Sequence, residues 1–319
     1  MNYRILNAEP DNYSARAEAV LAEIGTVENF TIPNPTPDLF LGRLAEADVL
    51  IVRLARQINR EVLDAGKRLK AIVSATTGLD HIDLAYAESR GIKVLSLRGE
   101  YEFLRSIPAT AEHTWGLLLA LLRQIPEAHA SVLRGEWTRD LFRGHDLAGQ
   151  TLGILGLGRI GEKIARYGLA FGMRVLAYDP YRSPWIEGVE RCHTQAELLK
   201  QSQIFTIHVP LNPTTVNLVS SREIGLLPFG AVLINTARGE VIDEAALLAA
   251  LESGQVAGAA LDVLCDERGP ARQASPLAAY ARQHTNLLLT PHIGGATYES
   301  MAATEIFMAQ KLKTYLESL

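Results

Sequence analysis

Cysteine is almost missing: Cys192 and Cys265 are the two in a chain of 319 residues. Two thiols cannot build a disulfide framework, and no C-x-x-C pair suggests a metal site. The opening stretch MNYRILNAEPDNY has neither the cationic nor the apolar region of a secretory leader. The apolar run WGLLLALL, Trp115–Leu122, falls far short of the roughly 18 residues that a membrane span needs. Excess basic charge is absent as well. With 31 Lys+Arg against 36 Asp+Glu the net charge is −5, so neither nucleic acid nor an anionic membrane is expected as a partner. These absences point to a soluble, metal-free protein of the reducing cytoplasm.

What is present is an ordinary globular composition, 48% hydrophobic and 21% charged, in a chain long enough for two domains. Short apolar strands alternate with amphipathic helices. Tyr3–Glu9, Ala47–Arg53, Leu69–Ala75 and Ile92–Leu97 read as strands, and Ser14–Gly25 as a helix ending on its glycine. A long helical stretch, Ile107–Trp137, follows, with Pro126 expected to break it. It reads as a core helix or, given its broad apolar face, as an interface helix in a dimer. A second series then runs through strands at Thr151–Leu155, Met173–Asp179, Gln203–Pro210, Ala231–Ala237, Ala257–Val263 and Asn286–His292. Such β-α-β-α order argues for parallel sheets covered on both faces.

The stretch GLGRIG places Gly156, Gly158 and Gly161 in G-x-G-x-x-G spacing, between an apolar strand and a helix. The first glycine allows a tight turn, the second lets backbone approach a pyrophosphate, and the third permits close helix–strand packing. The next strand ends on Asp179, eighteen residues past Gly161, where an acid holds the adenosine ribose hydroxyls and disfavours a 2′-phosphate. NAD is therefore expected over NADP, with Arg182 near enough to soften the preference.

Arg238, Glu267 and His292 follow the apolar runs LINTA, LDVLCD and LLLTP, where ligands bind in an open parallel sheet. An arginine can hold the carboxylate of a 2-oxo acid and polarise its ketone. A histidine can supply the proton, and a carboxylate beside it orients the ring and favours the imidazolium.

The stretches TTGLDHIDL, ATAEHT, LGILGLGRIG, HVPLNPTT, INTARGEVIDEAAL, GAALDV and PHIGGAT span most of the chain. Through them the sequence resembles the D-isomer-specific 2-hydroxyacid dehydrogenases, the family of D-3-phosphoglycerate, D-glycerate and D-lactate dehydrogenases. The resemblance implies two doubly wound parallel-sheet domains. A flavodoxin-like substrate domain would be formed by residues 1–106 and 287–319, and an inserted Rossmann NAD-binding domain by 107–286. It implies that Arg238, Glu267 and His292 are catalytic, and that Thr77, Gly78 and Leu79 hold the substrate carboxylate together with Arg238 and His292. It places Arg159 and Ile160 under the pyrophosphate, His208, Val209 and Pro210 beside the adenosine half, and Thr236, Ala237 and Asp262 near the nicotinamide and its ribose. A homodimer is implied too.

Three departures border the substrate side: Thr76 where relatives often have glycine, a longer and more charged segment at Gly99–Thr110, and Arg268 in place of a proline, followed by a long connection. Arg53, Arg56, Arg98 and Arg105 are candidates for reading a substrate phosphate. The expected activity is NAD-dependent hydride transfer between nicotinamide and a small D-2-hydroxy acid or its 2-oxo acid, either 3-phosphoglycerate or glyoxylate and hydroxypyruvate. A dehydrogenase of another small acid, such as formate or phosphite, and a non-catalytic NAD(H)-sensing protein are the alternatives.

Overall fold

The computed structural model describes residues 2–32, 36–265, 267 and 275–319. The chain divides into two compact units, Met1–Ile107 with Ala296–Leu319, and Pro108–Gly295. Each is built on an all-parallel sheet with helices between its strands, the α/β class expected from the sequence.

In the first unit, β1 (Tyr3–Asn7), β2 (Gly25–Asn29), β3 (Val49–Val52), β4 (Ala71–Ser74) and β5 (Lys93–Ser96) lie in the order β2-β1-β3-β4-β5. That is the flavodoxin-like order, whose winding reverses between β1 and β3. Successive strand residues point to opposite faces. Ile5, Val49, Ile51 and Val73 therefore join one apolar cluster, which Met308 and Leu312 of the helix Tyr298–Glu317 complete. Leu6, Leu50, Val52 and Ile72 join the other, with Phe40, Leu44 and Leu63. Each fully buried aliphatic side chain stabilises by about 1.5–3 kcal/mol, which ties the carboxy-terminal helix to the amino-terminal sheet.

Strand β2 is absent from the sequence reading, which carries a helix to Gly25. The helix stops at Ala22, and Gly25 opens the strand instead. A Cβ there would lie 2.1 Å from the Tyr3 carbonyl oxygen, so glycine is needed for β2 to approach β1. GTVEN is largely solvent-facing and carries little apolar pattern.

The second unit contains β6 (Thr151–Leu155), β7 (Arg174–Tyr178), β8 (Glu190–Arg191), β9 (Ile204–Ile207), β10 (Ala231–Asn235), β11 (Val256–Leu261) and β12 (Leu287–Leu289). Their order, β12-β11-β10-β9-β6-β7-β8, is the Rossmann arrangement with an added edge strand. Because β12 pairs with β11, the second boundary falls after Gly295 and not at the expected 286. The first falls at 107, one residue later than expected.

The stretch expected as one broken helix forms two, Ala109–Leu122 and Ile125–Leu133. The break is at Gln124, whose φ of 50° is left-handed. Pro126 sits in the first turn of the second helix, where its missing N–H is not required. The first helix buries Ala111, Trp115, Leu118 and Leu122 against Leu152, Ile154 and Ile164, so it is a core helix of this unit. Among the described residues, no helix is long and apolar enough to cross a membrane.

Candidate active site

The glycines of GLGRIG serve three different needs. Gly156, at φ 89°, leaves β6 in a left-handed turn, and a Cβ on it would lie 2.7 Å from the His208 carbonyl oxygen. A Cβ on Gly161 would lie 2.1 Å from the Gly156 carbonyl oxygen, so the helix Arg159–Ala170 is seated against its own entry turn. Around Gly158 a Cβ would meet nothing within 4 Å. This open position caps the helix without a side-chain hydrogen bond, at the end of a helix that suits an anion. Arg159 and Ile160 are half-buried in the first turn, and burial pushes the Arg159 guanidinium down from its ordinary pKa.

Asp179 lies just past β7, as its spacing suggested, and its carboxylate already has two protein donors. Leu157 N–H donates to Oδ2 at 2.9 Å and Tyr181 N–H to Oδ1 at 2.9 Å, so Asp179 also fixes the glycine turn. Arg182 is engaged as well. Its guanidinium donates to the Leu157 carbonyl at 2.8 Å, the Glu162 carboxylate at 2.9 Å and the Pro184 carbonyl at 3.1 Å. The hydrogen bonds from Arg182 and Arg166 hold the Glu162 carboxyl below its usual range.

His208, Val209 and Pro210 follow β9 beside this turn. The His208 Nε2 contacts the Thr206 hydroxyl at 2.9 Å, while its buried Nδ1 has no hydrogen-bond partner among the described residues. Burial lowers the imidazole pKa to about 3, so the ring is neutral. An open glycine, a helix amino terminus and an enclosed neutral imidazole at the strand ends suit a dinucleotide.

Arg238 leaves the end of β10 in extended conformation. Its loop is held by the buried Asn235, whose Oδ1 accepts from Ala237 N–H at 2.9 Å and whose Nδ2 donates to the Arg238 carbonyl at 2.8 Å. Arg238 itself donates to the Ala237 carbonyl at 2.7 Å. Thr236 is buried, with its hydroxyl 2.8 Å from that of Thr114. Thr114 gives its own proton to the Thr110 carbonyl, so Thr236 is the donor of the pair. Gly239 packs so closely on Leu264 and Cys265 that a Cβ would fall 2.1 Å from the Leu264 carbonyl carbon. The arginine loop therefore abuts the segment that leads to Glu267.

His292 follows β12 and pairs through Nδ1 with Glu267 Oε1 at 2.5 Å, both side chains being 20% exposed. Its φ of 56° is left-handed, a conformation that costs a non-glycine residue about 1–3 kcal/mol. The turn is held by Asp262, just past β11. Its carbonyl accepts from His292 N–H at 2.8 Å, and its carboxylate accepts from Ile293 N–H at 2.9 Å and Gly294 N–H at 2.7 Å. Burial alone would raise the Asp262 pKa. The hydrogen bonds from His113, Thr290, Ile293 and Gly294 outweigh it and keep the carboxyl below the usual range.

In the first unit, Thr77, Gly78 and Leu79 lie beyond β4. Among the described residues none accepts from their three backbone N–H groups. The unusual Thr76 braces this loop: its hydroxyl donates to the Gly78 carbonyl at 2.8 Å and meets the Ser74 hydroxyl at 2.8 Å. Arg53 donates to the Asp11 carbonyl at 2.9 Å and lies 3.7 Å from the buried Glu305. Arg56 stacks on Phe30 and Phe40 and donates to the Ala8 carbonyl at 3.2 Å. Arg105 pairs with Glu102 in solvent, and Arg98 is exposed. Arg268 and the connection through residue 274 lie outside the described residues.

Sequence reasoning missed the supporting residues: Asn235, His113, Thr290, and the bracing roles of Asp179, Asp262 and Thr76. A buried polar residue at a strand end, as in LIN or ALD, is the one local signal they carry.

A Rossmann-order sheet with this glycine turn defines a dinucleotide-binding unit. Residues 115–294 match the family model described as D-isomer specific 2-hydroxyacid dehydrogenase, NAD binding domain. The chain belongs to that family and carries its NAD-binding domain. It is 39% identical over 300 residues to the D-3-phosphoglycerate dehydrogenase of Methanocaldococcus jannaschii, covering 93% of this chain and 55% of that protein. It is 38% identical over 273 residues to the hydroxypyruvate reductase of Thermotoga maritima, covering 84% of this chain and 85% of that one. The crystal structure of the TT0316 protein from Thermus thermophilus superposes with a TM-score of 0.84 at 34% identity, covering 99% of this chain and 97% of that chain. The chain thus spans about half the length of the first of these relatives.

Proposed function

We propose that this chain reduces a small 2-oxo acid to its D-2-hydroxy acid, and catalyses the reverse, with NAD(H). The observation that carries the reading is the 2.5 Å pair of His292 Nδ1 and Glu267 on an NAD-binding domain of this family, next to the Arg238 loop. Bound NADH supplies the hydride. Arg238 holds the substrate carboxylate and polarises the ketone. His292 keeps Nδ1–H on Glu267, so the proton delivered to the substrate oxygen leaves from Nε2. The first unit acts as the substrate domain, and the backbone N–H groups of Thr77, Gly78 and Leu79 suit a carboxylate. Gly156, Gly158, Arg159, Ile160 and Gly161 take the pyrophosphate, Asp179, His208, Val209 and Pro210 the adenosine half, and Thr236, Ala237 and Asp262 the nicotinamide half.

Of the two curated relatives, one is named for a phosphorylated acid and the other for an unphosphorylated one. Arg53 and Arg56 are already engaged within their own unit, which supports an unphosphorylated acid such as glyoxylate or hydroxypyruvate. A cytoplasmic homodimer fits the reading. Leu133 (74% exposed), Trp137 (87%) and Leu141 (66%) are exposed apolar side chains on the segment after the core helix. Sedimentation as a monomer would contradict it.

Arg238→Ala separates catalyst from NAD(H) sensor. Turnover is expected to fall at least about 10²–10³-fold with NADH affinity unchanged, and unchanged turnover would overturn the assignment.

A further inference from the structure

The Asp262 carboxylate that holds the His292 turn is itself gripped from the core helix Ala109–Leu122. His113 Nε2 lies 3.2 Å from Asp262 Oδ1 and 3.0 Å from the Thr290 hydroxyl. Thr290 has one hydroxyl proton and gives it to Asp262 Oδ1 at 2.6 Å. Its contact with His113 must therefore be accepted, so Nε2 of His113 carries a hydrogen shared between the two oxygens. Oδ1 of Asp262 thus takes three donors, His113, Thr290 and Ile293 N–H, while Oδ2 takes Gly294 N–H.

We propose that His113 is a positioning residue: its Nε2–H fixes the Asp262 carboxylate, and through it the left-handed turn that aims His292. The proposal rests on the reading of His292 as proton donor. The coupling is mechanical. Asp262 is 1% exposed, so a donor lost from Oδ1 is not replaced by bulk water. The carboxylate can then rotate about Cβ–Cγ, loosening its grip on Ile293 and Gly294. A turn held at φ 56° against its own preference relaxes when that grip weakens. Gly294 admits little slack, because a Cβ on it would lie 2.9 Å from Asp262 Oδ2 and 3.4 Å from Thr110. His113, on a helix packed in the core of its unit, ties the donor turn to a rigid element. A displacement of the ring by about 1 Å is enough to slow turnover about 10²-fold.

The test uses His113→Leu, which removes the donor, and His113→Gln, whose side-chain amide nitrogen is the same number of bonds from the backbone. Thermal unfolding first verifies that both variants fold. His113→Leu is expected to lower kcat by about 10- to 100-fold, with KM within about twofold and any change in NADH affinity smaller than the fall in kcat. Amide hydrogen exchange at His292, Ile293 and Gly294 is expected to quicken in the same variant. His113→Gln is expected to restore both. Should His113→Leu unfold, a Gln variant matching wild type in turnover and exchange supports the proposal, and a Gln variant impaired in both overturns it. Wild-type exchange and kcat in His113→Leu overturn it as well, as does a loss of NADH affinity in place of kcat. The exchange experiment needs no substrate. An inactive wild type would therefore count against the dehydrogenase reading alone, while exchange would still decide whether His113 holds the turn.

Discussion

Asp262 N–H donates to the Asn235 carbonyl at 3.0 Å, linking two residues that do the same work at adjacent strand ends. Each is buried, and each folds its side chain over the loop beyond its strand, Asn235 over the Arg238 loop and Asp262 over the His292 turn. The arginine and histidine are aimed by a pair of polar side chains anchored in the sheet.

Asn235→Ala removes both side-chain bonds to the Arg238 loop and leaves the Ala237 N–H and Arg238 carbonyl without them. A buried group that loses its partner costs about 1–3 kcal/mol. Both groups are half-buried and the Arg238 carbonyl keeps the Val241 N–H at 3.4 Å, so chemical denaturation is expected to show a loss of about 1–3 kcal/mol, with turnover reduced more than NADH affinity. A variant as stable and active as wild type would show that the loop holds its shape without Asn235.

The glycine turn was legible because three glycines at fixed spacing are each demanded by local geometry, and the strand–turn–helix context sits within one short segment. Arg238 and His292 were legible as polar residues at the mouths of apolar strands. The anchors behind them were not, since their partners are remote in sequence: His113 and Asp262 stand 149 residues apart, and Ile293 and Asp262 stand 31 apart. Asp179 shows the complementary limit. Its position past β7 is visible from spacing, but the two backbone N–H groups that occupy its oxygens are not. Thr76 read as a departure from relatives, and only the loop geometry reveals that its hydroxyl replaces flexibility with a brace. The edge strand β2 escaped because GTVEN is mostly exposed and has no alternation to read.

Burial makes His208 a source of acid sensitivity. Its folded pKa is about 3, while an unfolded histidine titrates near about 6.5. Between those values the unfolded chain binds the proton and the folded one does not. The stability present above about pH 6.5 is therefore lost as pH falls toward 3, at about 1.4 kcal/mol per pH unit. Denaturant midpoints of wild type and His208→Asn are expected to diverge across this window, the variant being flatter. Parallel curves would show that the ring titrates normally in the fold.

The engagement of Arg182 by Glu162 and the Leu157 carbonyl bears on cofactor choice. Held there, the guanidinium is not free to meet a 2′-phosphate, and Asp179 stands ready to repel one. NADH is expected to bind well ahead of NADPH in a fluorescence titration. Glu162→Gln weakens the hold and is expected to tighten NADPH by up to about tenfold, the worth of about 1.4 kcal/mol, with NADH little changed. Unchanged NADPH affinity would place the discrimination in Asp179 alone.

The dehydrogenase reading stands or falls on NADH consumption at neutral pH with glyoxylate, hydroxypyruvate, pyruvate, 2-oxoglutarate and 3-phosphohydroxypyruvate. Turnover of an unphosphorylated acid, with a D-configured product where the product is chiral, is the expected result. A clear preference for the phosphorylated acid would keep the chemistry and overturn the reading of Arg53 and Arg56. NADH binding without turnover of any of them would contradict the dehydrogenase itself.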